Sequence, residues 1–300
     1  MIRGVAVALV LAAAMLGPMT SAQALPAGFD LQSHRGGRGE TTESSLRAFA
    51  KSLELGVSTL ELDIVLTRDD QPLVWHDPVI EPEKCTDTGP ASAGDPQYPY
   101  VGKRVGELTL AQVRTLDCGK LLPGFPDAEV VRGNVIATLP EVFALVDSYR
   151  ADVRFNIETK VDADNQRQIV GVILAAVRAA GMLDSVEIQS FDWTTLPLVR
   201  ATEPAIPLVA LWEEGADPIA GAVGAGADVV SPDFSVVDRE FVDRAHTEGL
   251  RVIPWTVNDP GAMRQQIAAG VDGLITDYPS RLRAVLAELG MPLPRAYPAG

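Results

Sequence analysis

Between Ser33 and Pro78 stand two of the chain's three histidines, His34 and His76, together with Arg35, Glu43, Glu61 and Asp63. Glu61 and Asp63 alternate with Leu60, Leu62, Ile64 and Leu66. A period of two marks a strand with one apolar and one acidic face. Residues two apart on a strand are about 6–7 Å apart, so both carboxylates can reach one cation. Two buried carboxylates repel each other, and a hard divalent ion with oxygen ligands removes that conflict. On this strand alone, a metal site and pairing to an arginine or lysine weigh equally.

Residues 153–160 repeat the pattern, with Phe155 and Ile157 on one face and Asn156, Glu158 and Lys160 on the other. Glu158 offers a third oxygen ligand. Lys160, one inward step further, offers a contact for a phosphate oxygen or a partner for Glu158. Imidazoles titrating near neutrality suit proton transfer in both directions, and Arg35 suits a bidentate grip on phosphate. The third histidine, His246, falls inside a helical pattern away from any strand end and reads as structural or surface.

The elements that must position these groups alternate along the chain. Strands are expected at 29–34, 59–67 with an extension at 72–76, 153–160, 186–191, 208–211, 228–231, 251–257 and 273–276. Helices are expected at 43–55, 139–149, 165–180, 194–201, 219–225, 239–248, 261–269 and 280–289. Such alternation implies a parallel sheet, and eight units in about 250 residues is the size of an α/β (β/α)8 TIM barrel. An open doubly wound sheet is disfavoured, because no Gly-rich dinucleotide fingerprint follows the first strand. His34 and Arg35 end the first strand, His76 the extension of the second, and Lys160 the third. All converge on the C-terminal mouth, where barrel enzymes place their chemistry. Residues 79–138 break the rhythm and read as an insertion after the second strand, with one helix-like piece at 110–116. Cys85 and Cys118, both within it, read as a disulfide pinning the insertion.

The 300 residues, 47% hydrophobic, suit one large globular domain over 25–300. A net charge of −15 repels polyanions, so no nucleic-acid partner is expected. Arg3, the apolar run from Val5 to Leu16 and Ala22-Gln23-Ala24 make residues 1–24 a signal peptide, too short in its apolar part to span a bilayer comfortably. The expectation is a secreted or periplasmic protein with no stable membrane insertion after cleavage.

In combination, these motifs resemble the glycerophosphodiester phosphodiesterase family in its exported bacterial form. The residues are His34-Arg35-Gly36, Glu43 with Ala48-Phe49, Glu61-Leu62-Asp63, His76-Asp77, Glu158-Thr159-Lys160, Trp255-Thr256-Val257-Asn258 and the run from Gly270 to Pro279. The resemblance covers nearly all of residues 30–285. It implies one divalent cation, Ca2+ or Mg2+, held by Glu61, Asp63 and Glu158, with acid and base roles for His34 and His76. It implies phosphate contacts from Arg35 and Lys160, with Glu43 behind them steadying Arg35 or the metal. Trp255 either lines the substrate pocket or fills the core, and Gln189, ending the fourth strand, faces the site as a substrate contact. The implied reaction hydrolyses a small-molecule glycerophosphodiester to sn-glycerol 3-phosphate and an alcohol, by direct water attack or through a cyclic phosphate. The alternatives are a barrel phospholipase D-type enzyme acting on lysophospholipids or sphingomyelin, and a non-catalytic glycerophosphodiester-binding protein. Where the family usually has Pro-Glu-Asn-Thr, this chain has Thr42-Glu43-Ser44-Ser45. The Glu is kept, and Thr42 or Thr41 is an acceptable helix N-cap.

Expressed in an exporting bacterium, the protein should be recovered outside the cytoplasm with a mature chain starting near Leu25, read by intact mass. A chain still starting at Met1 would contradict the signal peptide.

Overall fold

Thr59–Leu66 is buried along its entire length, as a strand covered on both faces must be. It is the second strand of the computed structural model, which describes Met1 and residues 28–299. The expected signal peptide and the mature start at Leu25 lie outside the described residues. The strands are β1 (Asp30–Ser33), β2 (Thr59–Leu66), β3 (Pro72–Val74), β4 (Thr86–Asp87), β5 (Leu116–Asp117), β6 (Arg154–Thr159), β7 (Val186–Ser190), β8 (Leu208–Trp212), β9 (Val229–Pro232), β10 (Arg251–Val252) and β11 (Gly273–Thr276). The helices are α1 (Leu46–Leu55), α2 (Leu110–Val113), α3 (Leu139–Ser148), α4 (Gln166–Ala180), α5 (Leu196–Thr202), α6 (Ile219–Gly224), α7 (Arg239–Thr247), α8 (Pro260–Ala269) and α9 (Pro279–Glu288).

Eight strands run parallel in the order β10-β9-β8-β7-β6-β2-β1-β11. Between β10 and β11, backbone bonds from Asp272 N to Val252 O (2.9 Å) and from Ile275 N to Pro254 O (3.1 Å) bring the two ends of the sheet together. The fold is a (β/α)8 TIM barrel. The expected strand at 251–257 is regular only at 251–252. Pro254 lacks an N–H and cannot continue a ladder, yet Ile253 and Trp255 still donate to Val230 and Pro232.

Side chains alternate as the period of two requires. Leu31, Leu60, Leu62, Ile64, Phe155, Ile157, Ile188, Ala210, Val230 and Leu274 pack outward in the main core with the helices. The interior is divided. On β8 to β11 it is apolar, with Val209, Val229, Ile253 and Ile275 in contact. On β1, β2, β6 and β7 it is polar and internally bonded. Gln32 donates to Asp30 and Glu187 (3.0 Å each), Asn156 to Gln32 and Gln189 (2.9 Å each), and Thr59 to Asp30 (2.7 Å).

Helix starts follow side-chain caps. Ser45 accepts from Ala48 N (3.0 Å), Asp238 from Phe241 N (2.8 Å) and Asp259 from Ala262 N (2.9 Å). The first helix therefore begins at Leu46 rather than at residue 43, and its N-cap is Ser45 rather than Thr41 or Thr42. Ser44, at φ 55°, bends the chain just before the cap. This leaves Glu43 in a loop, free to point at the mouth.

β3 folds back antiparallel on β2, pairing Val74 with Ile64. The insertion leaves just beyond it and returns alongside, where Val74 N bonds Ala137 O (2.8 Å). Its helix-like piece is shorter than expected, because α2 stops at Val113 and Leu116–Asp117 pairs with Thr86–Asp87 as β5 on β4. The insertion shares a second apolar core with the β2–β3 hairpin, in which Val65, Leu73 and Trp75 pack with Ile80, Tyr100, Leu108, Leu116, Cys85 and Cys118. Those cysteines form a disulfide.

The cross-link closes a loop of sequence separation 33, for which loop-closure entropy implies about 3–4 kcal/mol of stabilisation. The double variant Cys85→Ser/Cys118→Ser should lose stability of that order in urea unfolding. A loss under about 1 kcal/mol would show that apolar packing of the insertion on the β2–β3 hairpin holds it without the cross-link.

Candidate active site

The interior positions of β2 and β6 meet in register, with Asp63 opposite Glu158 and Glu61 opposite Asn156. Parallel pairing thus brings three carboxylates together at the C-terminal end. Glu61, Asp63 and Glu158 each offer an oxygen lying within 4.8 Å of the other two. All three are buried.

Each carboxylate has a distinct setting. Glu61 accepts from the backbone N–H of Arg35 (2.8 Å) and the side-chain amide of Gln189 (2.7 Å). Asp63 lies 3.3 Å from Arg35 Nε and 3.2 Å from Lys160 Nζ. Glu158 pairs with Lys160 Nζ at 2.6 Å. Burial, and then Asp63, push Glu61 well above the usual carboxylate range. Burial likewise carries Glu158 up to about 7, against the pull of Lys160 and with a further push from Asp63. Burial also works against Asp63, but Lys160 and Arg35 outweigh it and hold this carboxyl below its ordinary value.

The two histidines are each held at Nδ1 by a carboxylate. His34 Nδ1 is 2.6 Å from Asp277 Oδ1, and Asn258 donates to the other Asp277 oxygen (2.8 Å). His76 Nδ1 is 2.9 Å from Asp77 Oδ1. An imidazole whose Nδ1–H donates to a carboxylate keeps Nε2 available. Burial holds His34 below its ordinary pKa, with the Asp277 hydrogen bond opposing. His34 opens a one-turn 3-10 helix in which Arg35 adopts φ 50°, and this turn aims the Arg35 N–H at Glu61.

A cavity of about 240 Å³ is lined by His34, Arg35, Glu61, His76, Glu158, Lys160, Gln189 and Trp255. A larger groove of about 580 Å³ adjoins it and shares His76, Glu158, Lys160 and Phe191. The groove runs between the β2–β3 hairpin, residues 104–107 of the insertion and the loop after β6.

His34, His76, Arg35, Lys160, Glu61, Asp63 and Glu158 all come together. Glu43 lies behind Arg35, its Oε2 3.5 Å from Nη1. Gln189 lines the cavity, but its amide is engaged at both ends, by Glu61 and Asn156. Trp255 lines the cavity while its Nε1 donates to Ser231 O, and its ring meets Phe191 edge-on at 5.4 Å. His246 is on α7, paired with Asp272 away from the mouth. Asp277, Asn258, Asp77, Lys84, Arg38 and Phe191 carried no role in the sequence reading. Asp277 immediately follows β11, a position that itself points to the C-terminal mouth. Lys84 gave no comparable signal.

Residues 34–281 match the model of the glycerophosphoryl diester phosphodiesterase family. A glycerophosphodiester phosphodiesterase of Caldanaerobacter subterraneus subsp. tengcongensis is 30% identical over 250 residues, covering 83% of this chain and 94% of that protein. The lysophospholipase D GDPD1 of Homo sapiens is 24% identical over 278 residues, covering 85% of each. A crystal structure from Silicibacter pomeroyi DSS-3, of a protein named for the same activity as the family, superposes with a TM-score of 0.79. It is 30% identical and covers 90% of this chain and 96% of its own.

For Glu158, the folded protein keeps a proton between pH 4.5 and about 7 that the unfolded chain has released. This contribution to stability is complete below pH 4.5 and is lost as pH rises through 7. In chelator, Glu158→Gln should flatten the fall of unfolding free energy across that window by up to about 1.4 kcal/mol per pH unit. An unchanged slope would show that Glu158 ionises freely.

Proposed function

Because the chain belongs to the glycerophosphoryl diester phosphodiesterase family, we propose that it hydrolyses a glycerophosphodiester to sn-glycerol 3-phosphate and an alcohol, using a divalent cation, Ca2+ or Mg2+. The observation that carries this reading is the gathering of Glu61, Asp63 and Glu158 within 4.8 Å, in a cavity shared with His34 and His76. The donor set suits a hard ion, being all carboxylate oxygen. Both oxygens of Asp63 are buried without a hydrogen bond, and Glu61 resists ionisation where it stands. An ion bound there would act as a Lewis acid on a phosphoryl oxygen.

The remaining work falls to the side chains. Arg35 and Lys160, at the edge of the cluster, would turn from Asp63 and Glu158 to the phosphate oxygens as substrate arrives. Phe191, Leu211, Trp255 and Ile275 form an apolar wall for the glycerol carbons. His34 faces the smaller lobe, and burial favours its neutral imidazole over the charged form. It would take at Nε2 the proton of the attacking oxygen, either that of water, giving sn-glycerol 3-phosphate directly, or that of the glycerol 2-hydroxyl, giving a cyclic phosphate that water then opens. His76 faces both lobes, so the larger groove is the place for the alcohol. From Nε2 it would give a proton to the departing alkoxide oxygen. Export fits this reading, because a Cys85–Cys118 disulfide persists in an oxidising compartment.

Glycerol 3-phosphate release from glycerophosphocholine should stop in EDTA and return with added Ca2+ or Mg2+; release indifferent to EDTA would refute the metal role. His34→Ala and His76→Ala should each lose about 10²–10⁴-fold in rate, and a loss under tenfold would clear that residue. Faster turnover of lysophosphatidylcholine than of glycerophosphocholine would move the assignment toward the activity named for the human relative.

A further inference from the structure

We infer that Lys84, contributed by the insertion, is a positioning residue that fixes the His76 imidazole through Asp77. The inference deepens the reading above, because it takes His76 as the proton donor to the leaving alcohol.

Lys84 Nζ donates to Asp77 Oδ2 and to Glu43 Oε1, both at 2.5 Å. The other oxygen of Asp77 holds His76 Nδ1 at 2.9 Å. The four side chains thus form one chain of charge-assisted contacts from the β1–α1 loop, across the insertion, to the histidine. A carboxylate held only by an imidazole can rotate about its χ angles. With its second oxygen held by an ammonium, its plane is set, and so is the imidazole ring it orients. Without Lys84, Glu43 would keep Arg35 and Arg38, at 3.5 and 3.2 Å, but the second oxygen of Asp77 would lose its ammonium partner.

The lysine is itself well held. Its ammonium lies 5.1 Å from the centre of the Trp75 ring, and its side chain is only 13% exposed. Its backbone N–H donates to Glu81 O, and its carbonyl accepts from Lys120 N. Cys85, the next residue, is cross-linked to Cys118, two residues before Lys120. The disulfide therefore braces the backbone that carries the ammonium. This gives the insertion a part in the chemistry beyond walling the groove.

The test compares two glycerophosphodiesters that differ only in the leaving group, choline and p-nitrophenol. Choline leaves poorly without a proton, whereas p-nitrophenol needs little help. Lys84→Met should lower kcat on the choline ester by about 100-fold, with KM changed under about threefold, and on the p-nitrophenyl ester by under about fivefold. Lys84→Arg should restore at least about tenfold of the loss. Adding Lys84→Met to Asp77→Asn should cost little further, since the two act as one unit. Equal losses on both esters, or parental kcat on the choline ester, would overturn the inference.

A second readout does not depend on turnover. In protein labelled with 15N-histidine and held at alkaline pH, the His76 signals, assigned by their loss in His76→Asn, should report a single Nδ1–H tautomer, the form left once Nε2 has given its proton, in the parent and a mixture in Lys84→Met. An unchanged spectrum overturns the positioning role whether or not any substrate is hydrolysed. A parent that hydrolyses neither ester, yet shows the tautomer change, would instead count against the catalytic reading.

Discussion

Three carboxylates buried at one end of a parallel barrel repel one another, and the surrounding structure is organised around that repulsion. The register of β2 against β6 makes the crowding unavoidable, since Asp63 and Glu158 are direct cross-strand partners. Like charges so placed either keep protons or acquire cations. Here both happen. Arg35 and Lys160 come to Asp63 and Glu158, while Glu61 is left to a backbone N–H and the Gln189 amide. A bound divalent ion would satisfy all three carboxylates and release the two basic side chains for substrate. The pairing of Arg35 and Lys160 to the acids is thus compatible with their binding phosphate.

The division of the barrel interior follows from the same constraint. Polar side chains on β1, β2, β6 and β7 form a bonded network beneath the cluster, in which Gln32 and Asn156 donate to neighbouring oxygens. A buried polar group is tolerable when it is bonded, and a bonded network also fixes rotamers. The opposite half, lined by Val209, Val229, Ile253 and Ile275, has no such demand and packs as an ordinary apolar core. The site therefore rests on a rigid, directional support on one side and has an apolar wall on the other.

Much of this was readable in the residues. The alternation around Glu61 and Asp63, repeated around Glu158, identified both interior faces because a strand has a strict period of two. The eight-fold alternation of elements identified the barrel, and strand ends identified the mouth. What escaped the reading lies where the backbone has no period. Asp277 reaches His34 across 243 residues of sequence, and Lys84 reaches Glu43 across 41. Only the folded chain brings them together. The start of α1 escaped for a local reason. Thr41, Thr42, Ser44 and Ser45 are all capable caps, and the left-handed turn at Ser44 selects Ser45. The interruption of the stave at 251–257 was signalled by Pro254, whose missing donor the apolar pattern concealed.

The three carboxylates Glu61, Asp63 and Glu158 would together make one ion site, and the whole reading of the mouth turns on it. The decisive measurement is calorimetric titration of chelator-stripped protein with Ca2+ and with Mg2+, for the parent and for Asp63→Asn. One ion per chain should bind for at least one of the two metals, and Asp63→Asn should weaken binding at least about 100-fold, the upper end of what losing an outer-shell partner alone costs. Absence of binding to the parent, or equal binding to the variant, would contradict it.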